Sequence, residues 1–363
     1  MNSRTCFNIN KREVSKVSFL YEYELGKAAD VLVQELFQVK EGETFVLTAD
    51  SNSDERVVNA AARAIFSAGG KPMVIWTATP YGPGKQTDDF LPSESIRAAL
   101  LQADCWVEFN TMYLLYSETY EIVAKNNQRL RFLCLPAMHT DVFVRLFART
   151  DHAALKALLD AVVEKIKKAR HVRITTPAGE DVEFDNHPDH PVNSRNGYAD
   201  KPGTHMLSGM VSWAPDLDTV NGVIVFDGSL VPQFGILDTP VKVYMKNGVI
   251  ERVEGGRVAD AWESYLRNFH HPQMLRPAHV CCGFHPQAKL TGQIGEDERL
   301  WGGSQWGFGA VGSFLIPPAG IPAPSHIDGT CLNASVYLDG VPITINGQIV
   351  DQDLQEYAKK LGK

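Results

Sequence analysis

A chain of 363 residues is too long for one small core, and with 44% hydrophobic and 21% charged residues it carries enough apolar content to build two. Its net charge of -8 argues against a nucleic-acid partner, because such proteins gather Lys and Arg on one face, and Lys165-Ile166-Lys167-Lys168 reads instead as the solvated side of an amphipathic helix. No uncharged run is long enough to span a bilayer and Met1 to Thr5 opens no apolar segment, so no membrane partner and a cytoplasmic location are expected.

The first pattern in chain order is helical, from Glu22 to Phe37, with an apolar stripe through Leu25, Ala28, Ala29, Leu32 and Leu36. Thr44 to Ala49 reads as a strand, Asp50 to Asp54 as helix caps, Asn59 to Ala68 as a helix ended by Gly69-Gly70, and Pro72 to Trp76 as a second strand. The alternation continues with a helix over Ser93–Gln102, a strand over Cys105–Phe109, a helix over Glu118–Lys125 and a strand over Arg131–Leu135. Strands alternating with helices predict a parallel sheet covered on both faces, so residues 1–150 read as a doubly wound α/β domain. Neither GxGxxG nor GxxxxGK[ST] occurs, which leaves a nucleotide site in this half without support.

Residues 151–170 read as a connecting helix, and beyond them the grammar changes. Short strands are predicted at His171–Thr175, Asp181–Phe184, Asn221–Phe226, Val241–Met245 and Val249–Val253, the last two joined by an Asn247-Gly248 hairpin turn. Helices are expected at Ala259–Asn268 and Asp351–Leu361, so residues 171–363 form a β-rich α+β domain. The cysteines, Cys6, Cys105, Cys134, Cys281, Cys282 and Cys331, show no CxxC pair and sit mostly in apolar runs, which fits buried thiols of a reducing compartment.

Two stretches of this second half carry candidate chemistry. In Ser325-His326-Ile327-Asp328 an extended backbone turns His326 and Asp328 to one face, where they can grip one metal ion, and turns Ile327 to the core. Ala278-His279-Val280-Cys281-Cys282-Gly283 is an apolar run with one imidazole in it. Two imidazoles and a carboxylate with open positions make the facial triad of non-haem Fe(II) oxygen chemistry. The plainer alternative is a histidine hydrogen-bonded beside a turn aspartate. A second His-x-Asp, His187-Pro188-Asp189, has a proline at its centre and polar surroundings, which suit a loop.

Gly209-Met210-Val211-Ser212-Trp213-Ala214-Pro215-Asp216, Asp218 to Ser229, Gly255-Gly256, Cys281 to Pro286 and Ser325 to Asp328 together resemble the aminopeptidase T-like (M29) metallopeptidases. Where those peptidases carry two metal-binding glutamates this chain has Met210 and His279, and without bridging carboxylates a two-metal site loses its basis. The same segments, with Gly197-Tyr198-Ala199-Asp200, Pro202-Gly203, Ser208-Gly209 and Tyr337-Leu338-Asp339, resemble more closely the Fe(II)-dependent 2,5-dihydroxypyridine 5,6-dioxygenases.

That resemblance implies iron bound by His279, His326 and Asp328, and a small aromatic or N-heterocyclic substrate whose ring is cleaved with O₂. It also implies an acid/base role for His205 and a substrate contact for Arg299. Tyr116 stands where the family has a histidine that is an acid/base candidate, so Tyr116, like Arg299, is a candidate for both catalysis and substrate binding. Arg195 stands where the family has a glutamate and is a candidate substrate-binding residue, and an arginine there favours a substrate with an additional anionic group such as a ring carboxylate. Trp213, Trp301, Trp306, Phe308 and Phe314 are either pocket walls or ordinary core. A metal-dependent aminopeptidase of the same fold is the alternative function, and a homo-oligomer is expected from sheet edges in the second half.

Overall fold

The computed structural model describes residues 21–231 and 233–363; Cys6 and the start of the predicted first domain lie outside the described residues. In chain order the elements of the first half are α1 (Glu22–Asp30, running into a π-turn over Val31–Leu36), β1 (Thr44–Asp50), α2 (Glu55–Ser67), β2 (Lys71–Thr77), α3 (Ser93–Leu100), β3 (Cys105–Glu108), α4 (Glu118–Asn126), β4 (Arg131–Cys134) and α5 (Thr140–Phe143, running into a π-turn over Val144–Ala148). The Asp54 carboxylate caps α2 by accepting from the Arg56 N–H, and Gly69, in the left-handed region at φ +85°, follows its end.

Alternation along the strands explains why helices lie on both faces. Phe45, Leu47 and Ala49 of β1 point into a core shared with α1 and α2, whereas Val46 and Trp106 point into a second core with α3 and α4. The helix over Thr140–Ala148 is buried nearly all round through Phe143, Val144, Leu146 and Phe147, so it has no amphipathic stripe in the sequence.

The connecting helix α6 spans His152–Lys168, with Asp151 as its cap. After it come β5 (His171–Thr175), β6 (Asp181–Asp185), β7 (Asn193–Arg195), β8 (Gly203–Met206), β9 (Met210–Trp213), β10 (Asn221–Phe226), β11 (Ser229–Val231), β12 (Gly235–Ile236), β13 (Val241–Lys246), β14 (Val249–Glu254), α7 (Arg257–Asn268), β15 (Pro277–Gly283), α8 (Ile294–Asp297), β16 (Ser304–Val311), β17 (Ile321–Cys331), β18 (Ser335–Leu338), β19 (Val341–Ile345), β20 (Gln348–Ile349) and α9 (Gln352–Lys360).

Three sheets result. The first, in the order β2-β1-β3-β4-β8, is parallel, and its last member is a strand from beyond α6 that pairs with β4 through Leu133 and His205. The second, β14-β13-β10-β6-β5-β18-β19-β20, and the third, β12-β11-β17-β16-β15-β9-β7, are antiparallel and enclose one apolar core with α6 and α7. Phe184 of the second sheet meets Trp306 of the third edge-to-face, with centroids 5.5 Å apart. Among the described residues no helix is long and apolar enough to cross a membrane. The five described cysteines are free and buried.

Candidate metal centre

The third sheet has two chemically distinct faces, because side chains alternate along each strand and directly paired residues share a side. Val211, Trp213, Val280, Cys282, Trp306, Phe308 and Ile327 point into the core. The other face carries Arg195, Ser212, Cys281, His279, Gly307, Asp328 and His326, as the register from β7 across to β17 requires. Most of the aromatic residues considered as pocket walls are therefore core. Phe314, in the loop after β16, is the one that lies against Arg195 and Tyr116.

His279, Gly307 and Asp328 form one row across β15, β16 and β17, and Gly309 and His326 lie in the adjacent row. Glycine at the centre is a packing requirement: a Cβ on Gly307 would stand 2.5 Å from Nε2 of His279. With no side chain between them, the outer two strands bring their ligands together over the middle one. Nε2 of His279 lies 3.1 Å from Nε2 of His326 and 3.3 Å from Oδ1 of Asp328, and His326 Nε2 lies 3.1 Å from the same oxygen.

That triangle fits a single cation. Ligand atoms at right angles on an ion with bonds of about 2.1 Å stand about 3 Å apart. The donor set of two imidazoles and one carboxylate suits a divalent transition metal and leaves one side of its shell for other ligands. These three residues are the only group of their kind among the described residues; His187 and Asp189 are not part of one, and His187 stacks on His190 with centroids 4.1 Å apart.

Neighbouring atoms orient the ligands. His326 Nδ1 donates to the Ala310 carbonyl at 2.7 Å, which turns Nε2 toward the centre, and His279 Nδ1 lies 3.4 Å from Cys281 Sγ. Burial works against charging the His326 imidazole, yet the Asp328 carboxylate outweighs it and holds the pKa up at about 9. The same proximity pulls the Asp328 carboxyl well below the ordinary range in spite of its burial.

Around the triangle stand groups from both halves of the chain. Arg299 is buried, its Nη1 donating to Glu298 at 2.9 Å and its Nε to the Leu207 carbonyl at 3.1 Å. Nothing in the local sequence around Glu298 marks it as part of a site. Burial pushes its carboxyl up; Arg299 pulls it back only in part, and the Asp328 charge adds to the rise. The Asp328 charge also acts on the half-buried Tyr113 of the first half, adding to the rise that desolvation gives its phenol.

Tyr116, in the loop after β3, has a left-handed backbone at φ +70° and stays 39% exposed. Its ring lies nearly parallel to Phe314 at 6.2 Å, and the Arg195 guanidinium sits 4.6 Å from the centre of that same phenylalanine. His205, on β8, has its Nε2 2.8 Å from the Lys201 carbonyl, and burial pushes its imidazole pKa down. It makes no hydrogen bond to the triangle among the described residues. His285 is fully buried with Nε2 3.2 Å from the Leu146 carbonyl, a structural role.

Comparison with known proteins agrees with this layout. The family model described as 2,5-dihydroxypyridine 5,6-dioxygenase matches residues 30–351. A curated Pseudomonas putida protein, named as a 2,5-dihydroxypyridine 5,6-dioxygenase, is 25% identical over 338 residues, covering 88% of this chain and 94% of its own length. Among solved structures, the 2,5-dihydroxypyridine dioxygenase of Pseudomonas putida KT2440 superposes with a TM-score of 0.76 at 22% identity, over 92% of this chain and 99% of the other. AmpT from Thermus thermophilus superposes with a TM-score of 0.66 at 14% identity, over 91% and 100%. These two likenesses establish the aminopeptidase T-like fold.

Proposed function

Because the chain belongs to the 2,5-dihydroxypyridine 5,6-dioxygenase family, we propose that it is an Fe(II)-dependent ring-cleaving dioxygenase acting on a hydroxylated pyridine or a similar aromatic ring in aromatic catabolism. The observation that carries this reading is the triangle of His279, His326 and Asp328, which offers a single carboxylate and three donors to one ion. Bound there, Fe(II) supplies the electronic link between an electron-rich ring and O₂ that spin-allowed oxygen insertion requires.

The chain's own residues account for the rest. Asp328 brings one negative charge, so a divalent ion in its grip keeps one positive charge, which favours a ring hydroxyl arriving as its anion. A base must take that proton. His205 is assigned this part, since its lowered pKa keeps the imidazole neutral and its Nδ1 remains to accept. Tyr116 is protonated at neutral pH and serves as a hydrogen-bond donor at the exposed side of the site. Arg299, its charge balanced by Glu298 and its Nε held by the Leu207 carbonyl, presents its Nη2 as a fixed hydrogen-bond donor to the ring oxygens. His326, the most exposed ligand with a side chain 30% accessible, marks the open approach.

The test is anaerobic reconstitution with Fe(II), followed by metal analysis and oxygen uptake against a panel of hydroxylated pyridines and benzoates. A single iron per chain, with labelled O₂ delivering both atoms to a ring-opened product, is the expected result. Two zinc or cobalt ions per chain with hydrolysis of peptides, and no oxygen uptake on any ring, would replace the dioxygenase with a peptidase.

A further inference from the structure

One cation on the face of the metal triangle has no acidic partner among the described residues. Arg195 closes the third sheet at β7, on the same face as the metal triangle, and its Nε donates to Ser212 Oγ at 3.2 Å. Ser212 pairs in register with Cys281, whose sulfur touches His279, so Arg195 is tied to the triangle through two adjacent strands. Its guanidinium is braced from one side by Phe314 at 4.6 Å. Among the described residues no carboxylate lies within ion-pairing distance of it, and neither Nη has a protein partner or is sealed from solvent.

The charges about the site show what is left over. Glu298 and Arg299 neutralise one another at 2.9 Å. A divalent ion with Asp328 keeps one positive charge, which a ring hydroxylate cancels. Arg195 is the remaining charge, held half-buried with its fork free, an arrangement that costs stability unless something anionic completes it.

We propose that Arg195, braced by Phe314 and anchored to Ser212, is the subsite for a ring carboxylate, so that the substrate is a carboxylated hydroxypyridine or hydroxybenzoate. A planar carboxylate matches the two Nη donors in bidentate fashion, and a ring bearing it can direct its hydroxyl toward the triangle. This inference rests on the ring-cleaving reading for the identity of the ring, and its test is read without oxygen so that the two can fail separately.

Binding is measured on the Fe(II)-loaded protein held anaerobically, with matched ligands that do not chelate metal: 3-hydroxypyridine against 5-hydroxypyridine-3-carboxylate, and phenol against 3-hydroxybenzoate. The carboxylated member of each pair is expected to bind about 10- to 100-fold tighter to the wild type, the range of a charge-assisted hydrogen-bonded pair. Arg195→Gln brings that ratio to about one, and Arg195→Lys, which keeps charge but not the fork, retains part of it. A wild type that binds both members equally, prefers the uncharged one or binds neither overturns the subsite, as does an Arg195→Gln protein that keeps the preference. A carboxylate preference here, together with no oxygen uptake on any ring of the aerobic panel, leaves the subsite standing and removes the dioxygenase.

Discussion

Gly307→Ala separates metal binding from folding. The alanine Cβ would lie 2.5, 2.8 and 2.9 Å from three ring atoms of His279, and from no other heavy atom as closely. Van der Waals contact needs about 3.5 Å, so the imidazole must retreat by about 1 Å. A metal–ligand bond tolerates about 0.2 Å, so that retreat takes one donor out of reach. Disturbing only a ligand's support typically costs 10- to 100-fold in metal affinity, and a displaced ligand is expected to cost at least that much. The fold should hardly notice: Gly307 has no left-handed backbone to strain, and the atoms displaced belong to a movable side chain. Chemical denaturation of metal-free protein should therefore place Gly307→Ala within about 1 kcal/mol of wild type, while competition against a chelator shows at least a tenfold weaker Fe(II) or Co²⁺ site. Wild-type metal affinity in a folded Gly307→Ala protein would refute the cross-strand account of the site.

Behind the same strands, Glu180 is buried and accepts from Trp306 Nε1 at 3.0 Å and Ser304 Oγ at 3.3 Å, and burial pushes its pKa up to about 8. The folded state therefore holds a proton that the unfolded chain releases near its ordinary pKa, so stability is fully present below about 4.5 and declines as pH rises toward 8, by up to ~1.4 kcal/mol per unit. Glu180→Gln, still an acceptor for Trp306, should flatten that decline in denaturation curves taken across this window; an unchanged slope would assign it elsewhere. Ile327, fully buried between the two ligands of β17, should cost about 2–5 kcal/mol as Ile327→Ala in the same assay.

The parallel sheet was legible because its strands are apolar runs separated by capped helices; Asp54 and Gly69 punctuate α2 where turn chemistry predicts. Of the candidate metal centre, the shared face of His326 and Asp328 was legible because they lie two residues apart on one strand, with Ile327 in the core between them as the alternation requires. Their meeting with His279 was not a matter of spacing. It depends on the register of β15 against β16, which local pattern does not give; the donor set suggested the join and the family resemblance added support. The intervening strand β16 hides itself, since Gly307 and Gly309 read as loop punctuation although Trp306 and Phe308 keep the period of two. Glu298 and the pairing of β8 with β4 are likewise properties of the assembled chain.

That last pairing has a cost for anyone cutting the protein. A fragment ending near residue 150 would expose the side of β4 normally covered by Gly203–Met206, an unsatisfied ladder of backbone donors and acceptors open to another chain. Such a piece is expected to self-associate, and the intact chain cannot finish its first layer until more than fifty later residues have emerged and doubled back. The first sheet is thus stitched by main-chain bonds to a strand that lies in sequence between β7 and β9 of the third, which limits how far the two sheets can swing apart.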